Sequence, residues 1–423
     1  MKEPEIEVGI LSRRTIEFVL CGTFLAGGRE IPAGGVQRVE YSGGSILWNG
    51  VRHEGALLFR PAAEGAFFEL RRVTIGVHFH WEREENQRFS GALRIIPDDV
   101  NGVCVAVNVI PVEEYLKSVI SSEMSANASG ELLKAHAVIS RSWLLRQLAD
   151  KGKHHAAEST RRLKTVVDGR EVDEIVRWYD REDHTLFDVC ADDHCQRYQG
   201  ITRQTTPSVA EAVESTRGMA LTYGGEVCDA RFSKCCGGRS ESFGNCWEET
   251  PHPYLEPVDD ICGADGHIFC RTDDAAVLGQ VLNGYDREQP DFYEWEVSYT
   301  PLELSALVRR KSGFDFGTIR SLRPLHRGYS GRITRLLVVG DRMEMVVGKE
   351  LEIRRWLSDS HLRSSAFEVR RGMDGEFILH GHGWGHGVGL CQIGAAVMGA
   401  EGYDYQQILE HYFPKAILEK IYE

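Results

Sequence analysis

The hydrophobic period of the chain changes at Pro111, and that change limits the folds open to it. Before it, residues 5–110 alternate in short apolar runs: Ile6-Glu7-Val8-Gly9-Ile10, Thr15-Ile16-Glu17-Phe18-Val19-Leu20 and Val73-Thr74-Ile75-Gly76-Val77. Successive side chains on a strand point to opposite faces, so a period of two predicts strands. Ala26-Gly27-Gly28 and Ile31-Pro32-Ala33-Gly34-Gly35 supply turns between them. After it, Tyr115, Leu116, Val119 and Ile120 recur at helical spacing. Pro111 suits the first helical position, where its missing N–H costs nothing. Glu113 and Glu114 suit the positive end of the helix dipole. Ser125-Ala126-Asn127-Ala128-Ser129-Gly130 interrupts the pattern, and a second helix is expected over about 131–149. Two helices with a short polar link make an αα-hairpin.

The expected class is α+β. A β-rich region covers 1–105, and a core over 106–423 holds the hairpin, central strands, a Gly/His-rich loop and a charged insertion at about 150–205. The insertion, with Lys151-Gly152-Lys153-His154-His155 and Arg161-Arg162, reads as irregular surface with one short helix. Beyond it, strands are expected near 219–223, 227–233 and 333–339, and helices near 301–311, 392–398 and around Ile408, Leu409, Tyr412 and Phe413.

At 423 residues the chain buries a large core without disulfide staples. Its 49 basic and 63 acidic residues leave a net charge of −14, which argues against a general nucleic-acid binder but leaves room for local cations. No apolar run reaches the roughly 18–20 residues of a transmembrane segment. The start, Met1-Lys2-Glu3-Pro4-Glu5, has no apolar h-region, so no secretory signal is expected there. The 11 cysteines are widely spread, and the pairs Cys190/Cys195 and Cys235/Cys236 suggest metal or thiol chemistry more than a disulfide ladder.

Three groups of residues carry candidate chemistry. Glu123 closes the first helix beside the polar link, and Lys134, Val138 and Arg141 share one face of the next at spacings of four and three. Folding the hairpin is expected to bring Arg141 near Glu123. Read from pattern alone, Glu123 is either a solvated surface acid or an acid/base group in a cleft. The second group is His380, His382 and His386 among Gly381, Gly383, Gly385, Gly387 and Gly389, with Trp384. Glycine allows close backbone approach, so this loop either lines a cleft, packs as structure or holds a metal. The third is His184, Cys190, His194 and Cys195, the ligand set of many tetrahedral zinc sites at a non-standard spacing. Its alternatives are a Cys190–Cys195 disulfide or plain buried thiols. Cys235-Cys236-Gly237-Gly238 reads as a strand end rather than a thiol nucleophile. Lys234 beside it is a candidate cation, and Cys262 with Cys270 and His267 reads as a loop or a disulfide.

Several stretches resemble one family. These are Asn108-Val109-Ile110-Pro111-Val112-Glu113-Glu114-Tyr115-Leu116, Ser122-Glu123-Met124, Leu133-Lys134-Ala135-His136-Ala137-Val138 and Ser140-Arg141-Ser142. They continue with Gln196-x-Tyr198-x-Gly200, Gly237-Gly238-Arg239-Ser240-Glu241 and Ser330-Gly331-Arg332. The last runs from Gly383-Trp384-Gly385-His386-Gly387 through Val388-Gly389-Leu390-Cys391-Gln392 to Ile393-Gly394-Ala395. In this order they resemble the sporulation stage II protein D / amidase-enhancer LytB (SpoIID/LytB) family from about residue 90 to 420. His136 stands where that family usually has Gln, Ser125 where Pro is common, and Cys391 where Ser is common.

The resemblance implies a peptidoglycan lytic transglycosylase, a cell-wall lyase that cuts MurNAc–GlcNAc bonds of glycan strands stripped of stem peptides. It implies Glu123 as acid/base and Arg141 as its supporting cation. His386, Trp384, Lys234 and Gln392 are then expected at the substrate, and zinc at His184, Cys190, His194 and Cys195, in a structural role. The alternative it implies is a non-catalytic glycan-binding enhancer of a cell-wall amidase. Expected partners are peptidoglycan strands and such an amidase, with no nucleic acid. That substrate implies the cell envelope or periplasm, although the chain's start shows no signal peptide.

Overall fold

The computed structural model describes residues 2–76, 82–125, 128–151, 160–177, 184–192, 194–202, 206–263, 265–282, 292–360 and 362–423. Val77, Ala126, Asn127 and the 152–155 stretch of the sequence reading lie outside them. The chain forms two compact units. One comprises Met1–Lys151, Asp183–Ala220 and Glu419–Glu423, the other Gly152–Glu182 and Leu221–Leu418.

The first unit holds the alternating front of the chain as two sheets. One runs in the order Arg83–Ser90, Phe67–Ile75, Thr15–Cys21, Val36–Ser42, Ser45–Trp48, Val51–Glu54. The other runs Val189–Cys190, Glu5–Arg13, Val103–Pro111, Ala92–Asp98, Leu57–Pro61, Phe24–Ala26, Arg29–Ile31. Ile16, Phe18 and Leu20 point to one face and are buried, as the period of two requires. Phe18 of the first sheet meets Phe59 of the second edge-on at 5.1 Å, so the inner faces share one core. The boundary expected after residue 105 falls inside the strand Val103–Pro111. That strand pairs on both sides with earlier strands, Ile6 opposite Ile110 and Ile95 opposite Ala106, so the chain does not part there.

Helices α1 (Val112–Glu123), α2 (Gly130–Asp150) and α3 (Pro207–Ser215) complete this unit. Pro111 is the N-cap of α1, one position earlier than expected, because it also ends the strand in extended conformation. Tyr115, Leu116, Val119 and Ile120 form the buried stripe of α1. α2 is buried almost all round, which suits a helix with Leu132, Val138, Ile139, Trp143 and Leu144 on several faces.

The second unit holds α4 (Ala275–Val281), α5 (Pro301–Ser312), α6 (Glu350–Trp356), α7 (Gln392–Ala400) and α8 (Tyr405–Tyr412). A five-stranded sheet runs Thr160–Val167, Arg170–Arg177, Glu344–Gly348, Ile333–Gly340, Ile319–Arg327. Leu304 and Val308 of α5 pack with Ile319, Leu336, Val347 and Trp356. Of the expected insertion, Thr160–Arg177 is a β-hairpin in this sheet, while the strand Val189–Cys190 and the 3-10 turn Gly200–Thr202 belong to the first unit. Arg161, Arg162 and Lys164 lie on the hairpin's edge strand, where charge suits an unpaired strand edge. Among the described residues no helix is long and apolar enough to cross a membrane.

Candidate active site and metal clusters

Glu123 is the last residue of α1. It is half-buried, and one carboxylate oxygen accepts the N–H of Arg197 at 3.0 Å. Arg197 belongs to a short segment locked onto the hairpin. Gln196 donates to the Ser140 carbonyl at 3.2 Å, Tyr198 donates to Asn108 at 2.6 Å, and the Tyr198 ring stacks on Tyr115 at 4.9 Å. The Gln-x-Tyr-x-Gly element thus holds the backbone donor that fixes the Glu123 carboxyl.

Arg141 does not make the expected contact with Glu123. It has no exposed surface, and its Nε and Nη2 donate to the two oxygens of Glu113 at 2.9 and 2.6 Å. Nη1 donates to the Met219 carbonyl at 2.9 Å. Tyr422 and the N–H of Gly218 also donate to Glu113, at 2.6 and 3.1 Å. Burial raises the Glu113 pKa. The bonds and charge of Arg141, with Tyr422 and Gly218, outweigh it and leave the carboxyl below its ordinary value. A guanidinium enclosed in this way meets no substrate, so its contribution runs through the packing of the hairpin.

His184, Cys190, His194 and Cys195 come together in the same unit, each with one ligand atom within 4.8 Å of all the others. The Cys195 sulfur lies 3.4 Å from His184 Nε2 and 3.4 Å from His194 Nδ1, and the Cys190 sulfur 3.8 Å from His194 Nδ1. A tetrahedral ion with bonds of about 2.3 Å to sulfur and 2.0–2.1 Å to nitrogen sets S···N edges of about 3.6 Å, so the set fits one such ion. The two cysteines are free thiols. Cys195, then the two histidines and the Asp192 backbone, pull the Cys190 thiol far below its ordinary pKa against the effect of burial. The turn after Val189–Cys190 lets the adjacent His194 and Cys195 face one point. Gln196 follows at once, so the cluster anchors the segment that holds Glu123.

The other expected site residues lie in the second unit. Phe232–Ser233 pairs in parallel with Leu390–Cys391, the Trp384 N–H donates to the Cys235 carbonyl at 2.8 Å, and the Ile393 N–H donates to the Lys234 carbonyl at 3.1 Å. Lys234, Trp384, His386 and Gln392 are thereby gathered on one short parallel pair. The Lys234 ammonium donates to the Val281 carbonyl at 3.2 Å. Gln392 is buried in the first turn of α7, at 2% exposure, which corrects its expected place at a sugar: the helix N-terminus packs inward. His386 Nδ1 accepts the Val388 N–H at 3.0 Å, and its ring meets Trp247 edge-on at 4.7 Å. Burial and then the guanidiniums of Arg231, Arg354 and Arg332 keep it neutral, with the proton on Nε2.

Two buried groups here were not expected from sequence. Arg332 donates to the carbonyls of Gly385 and Cys236, each at 2.9 Å, and to Ser330 at 3.0 Å. A Cβ on Gly387 would come 2.6 Å from the Arg332 guanidinium, so only glycine fits there. Glu241 takes the Ser330 hydroxyl at 2.6 Å. Their signal was present in Ser330-Gly331-Arg332 and in the Glu241 motif, but neither showed its partner.

Residues 100–223 match the Stage II sporulation protein family (SpoIID). The chain carries a SpoIID domain over these residues. The SpoIID match covers α1, α2, α3 and the His/Cys cluster, and residues 241–389 match a domain of unknown function (DUF8618). The chain is 25% identical over 309 residues to stage II sporulation protein D of Bacillus amyloliquefaciens, covering 73% of this chain and 74% of that one. It is 27% identical over 327 residues to an uncharacterized protein of Brachyspira hyodysenteriae, with 77% and 70% covered. It is 24% identical over 327 residues to the amidase enhancer of Bacillus subtilis, covering 72% of this chain and 40% of that protein.

Proposed function

We propose that this chain is a cell-wall lytic transglycosylase acting on stem-stripped peptidoglycan strands, with Glu123 as its acid and base. The observation that carries this reading is the position of Glu123: half-buried at the end of α1 in the SpoIID domain, its carboxyl held by one backbone N–H of the Gln196–Gly200 element. Ordinary glycosidases flank the scissile bond with two carboxylates. A transglycosylase needs one, because the nucleophile is the C6 hydroxyl of the same sugar. Glu123 protonates the leaving glycosidic oxygen and, as carboxylate, takes the C6 proton. The product is a 1,6-anhydro end. Each stripped MurNAc keeps a lactyl carboxylate, so a chain of net charge −14 needs local cations where it binds the strand, and Lys234 of the second unit is a candidate.

The test is to incubate the purified chain with stem-stripped strands and read the products by mass spectrometry. Anhydro ends support the reading, and hydrated reducing ends refute it. The amidase-enhancer relative favours one other reading, glycan binding without cleavage; intact strands that stay bound to the protein would select it.

We assign the His184, Cys190, His194 and Cys195 cluster to zinc in a structural role. Soft thiolate and imidazole ligands suit zinc, and four protein ligands leave no open position for catalysis. The ion braces the Gln196–Gly200 element and, through Arg197, Glu123. Protein purified without chelator is expected to contain zinc. Cys190→Ser is expected to lower the zinc content by one ion per chain and to reduce turnover together with it. Wild-type protein free of zinc would end the assignment.

We propose that His386 and Trp384 contribute to glycan binding from within their own unit. His386→Ala removes a neutral ring packed on Trp247 and bonded to the loop backbone. It is expected to weaken strand binding severalfold, read by co-sedimentation with glycan. Unchanged affinity would remove the loop from glycan binding.

A further inference from the structure

A second cluster of metal-ligating side chains lies in the other unit, and the proposed reaction makes no use of it. Cys236, Asp260, Cys270 and Cys391 each place one ligand atom within 4.8 Å of the others, and all four are buried. They come from three separate segments: the turn after Phe232–Ser233, the 260–270 loop and the first residue before α7. We propose that these four residues hold one zinc ion as a closed structural site.

The distances are those of ligands around one tetrahedral ion. Bonds of about 2.3 Å to sulfur and 2.0 Å to oxygen set S···S edges of about 3.8 Å and S···O edges of about 3.5 Å. The Cys236 sulfur lies 3.7 Å from that of Cys270 and 3.4 Å from Asp260 Oδ2. A disulfide requires sulfurs about 2.05 Å apart, and all these cysteines are free thiols.

The surroundings are built for thiolates. The Cys236 N–H points at the Cys391 sulfur at 3.2 Å, and the Gly238 N–H at the Cys270 sulfur at 3.2 Å. Gly238 has a φ of +96°, which turns its N–H inward. Cys391 caps α7, its sulfur accepting the Gly394 N–H at 3.5 Å, and a helix N-terminus favours an anion. Asp260 is oriented from outside: Tyr412 donates to its Oδ1 at 2.6 Å and the Cys270 N–H to its Oδ2 at 3.2 Å. The carboxylate therefore presents Oδ2 to the sulfurs, as supported metal ligands do. Cys235, also buried, packs alongside and is not needed to complete four ligands.

Three thiolates and one carboxylate select a soft divalent ion over magnesium or calcium. Binding displaces the three thiol protons to solvent, and no electron is transferred. The ion ties the 235–238 turn, the 260–270 loop and the start of α7, and so fixes the strand pair Phe232–Ser233 with Leu390–Cys391.

The decisive measurement is zinc stoichiometry of the full chain after zinc addition and removal of the excess. A variant disabled at the other cluster, His184→Ala with Cys190→Ser, is expected to keep one zinc per chain. Adding Cys236→Ser and Cys391→Ser to it is expected to remove that ion. X-ray absorption at the zinc edge of the wild type decides without any variant: filling of both clusters gives a mean sulfur count above two per ion, filling of the first alone gives two. A variant disabled at the first cluster that binds no zinc overturns the proposal. So does peptide mapping of the unreduced chain that finds Cys236 and Cys270 joined in a disulfide.

Discussion

Glu123→Gln is expected to reduce anhydro-product formation from stem-stripped strands by at least about a hundredfold, the lower end of what a positioned general acid contributes. The variant is expected to stay folded. Gln keeps an oxygen for the Arg197 N–H, and the position is half-buried, so the stability change belongs with surface substitutions, within about 0.5 kcal/mol. Turnover by mass spectrometry and thermal unfolding on the same preparation separate the two effects. Wild-type turnover in the variant would remove Glu123 from the reaction. Loss of turnover with loss of fold would leave the acid unassigned and point instead to the Arg197 contact.

Arg141→Ala is expected to cost about 3–5 kcal/mol of stability, because it leaves Glu113 charged and unpaired in the interior. Arg141→Lys is expected to recover only part of this, since one ammonium cannot replace a two-point guanidinium fork. Replacing both partners by apolar residues of similar volume, Glu113→Leu with Arg141→Met, is expected to be far milder than either single removal. A double variant as unstable as the single ones would show that the pair has a role beyond satisfying itself. Denaturant unfolding of the three variants measures this.

The pair also has a pH signature. Glu113 titrates lower in the folded chain than an ordinary glutamate does. Its contribution is therefore fully present above about pH 4.5 and is lost as pH falls through the lower folded value. The stability gap between wild type and Glu113→Gln is expected to be constant near neutral pH and to shrink only in acid. A gap that closes above pH 6 would mean another group controls it.

The partner of Arg141 was legible in the sequence from hairpin geometry, although face spacing alone missed it. Glu113 lies 10 residues before the end of α1 and Arg141 11 residues after the start of α2. At 1.5 Å per residue these are about 15 and 16 Å from the turn, so antiparallel packing sets them side by side. Glu123, at the turn itself, is too far along the axis. The edge hairpin at 160–177 was harder to read: charged residues dominate it, and its buried apolar residues, Val167, Val172 and Ile175, do not follow a clean period of two.

Local chemistry was enough to specify the hairpin helices, most of the front strands and the His184–Cys195 ligand set. Period, caps and short spacings act within a few residues of one another. The Cys236, Asp260, Cys270 and Cys391 cluster, the Arg332 bonds to the Gly/His loop and the enclosure of Arg141 were decided by tertiary structure alone. Cys236 lies 24, 34 and 155 residues from Asp260, Cys270 and Cys391, Arg332 lies 96 residues from Cys236, and only packing brings them together. A cysteine's neighbours in sequence say that it is a thiol; its neighbours in space say whether that thiol is core, disulfide or ligand.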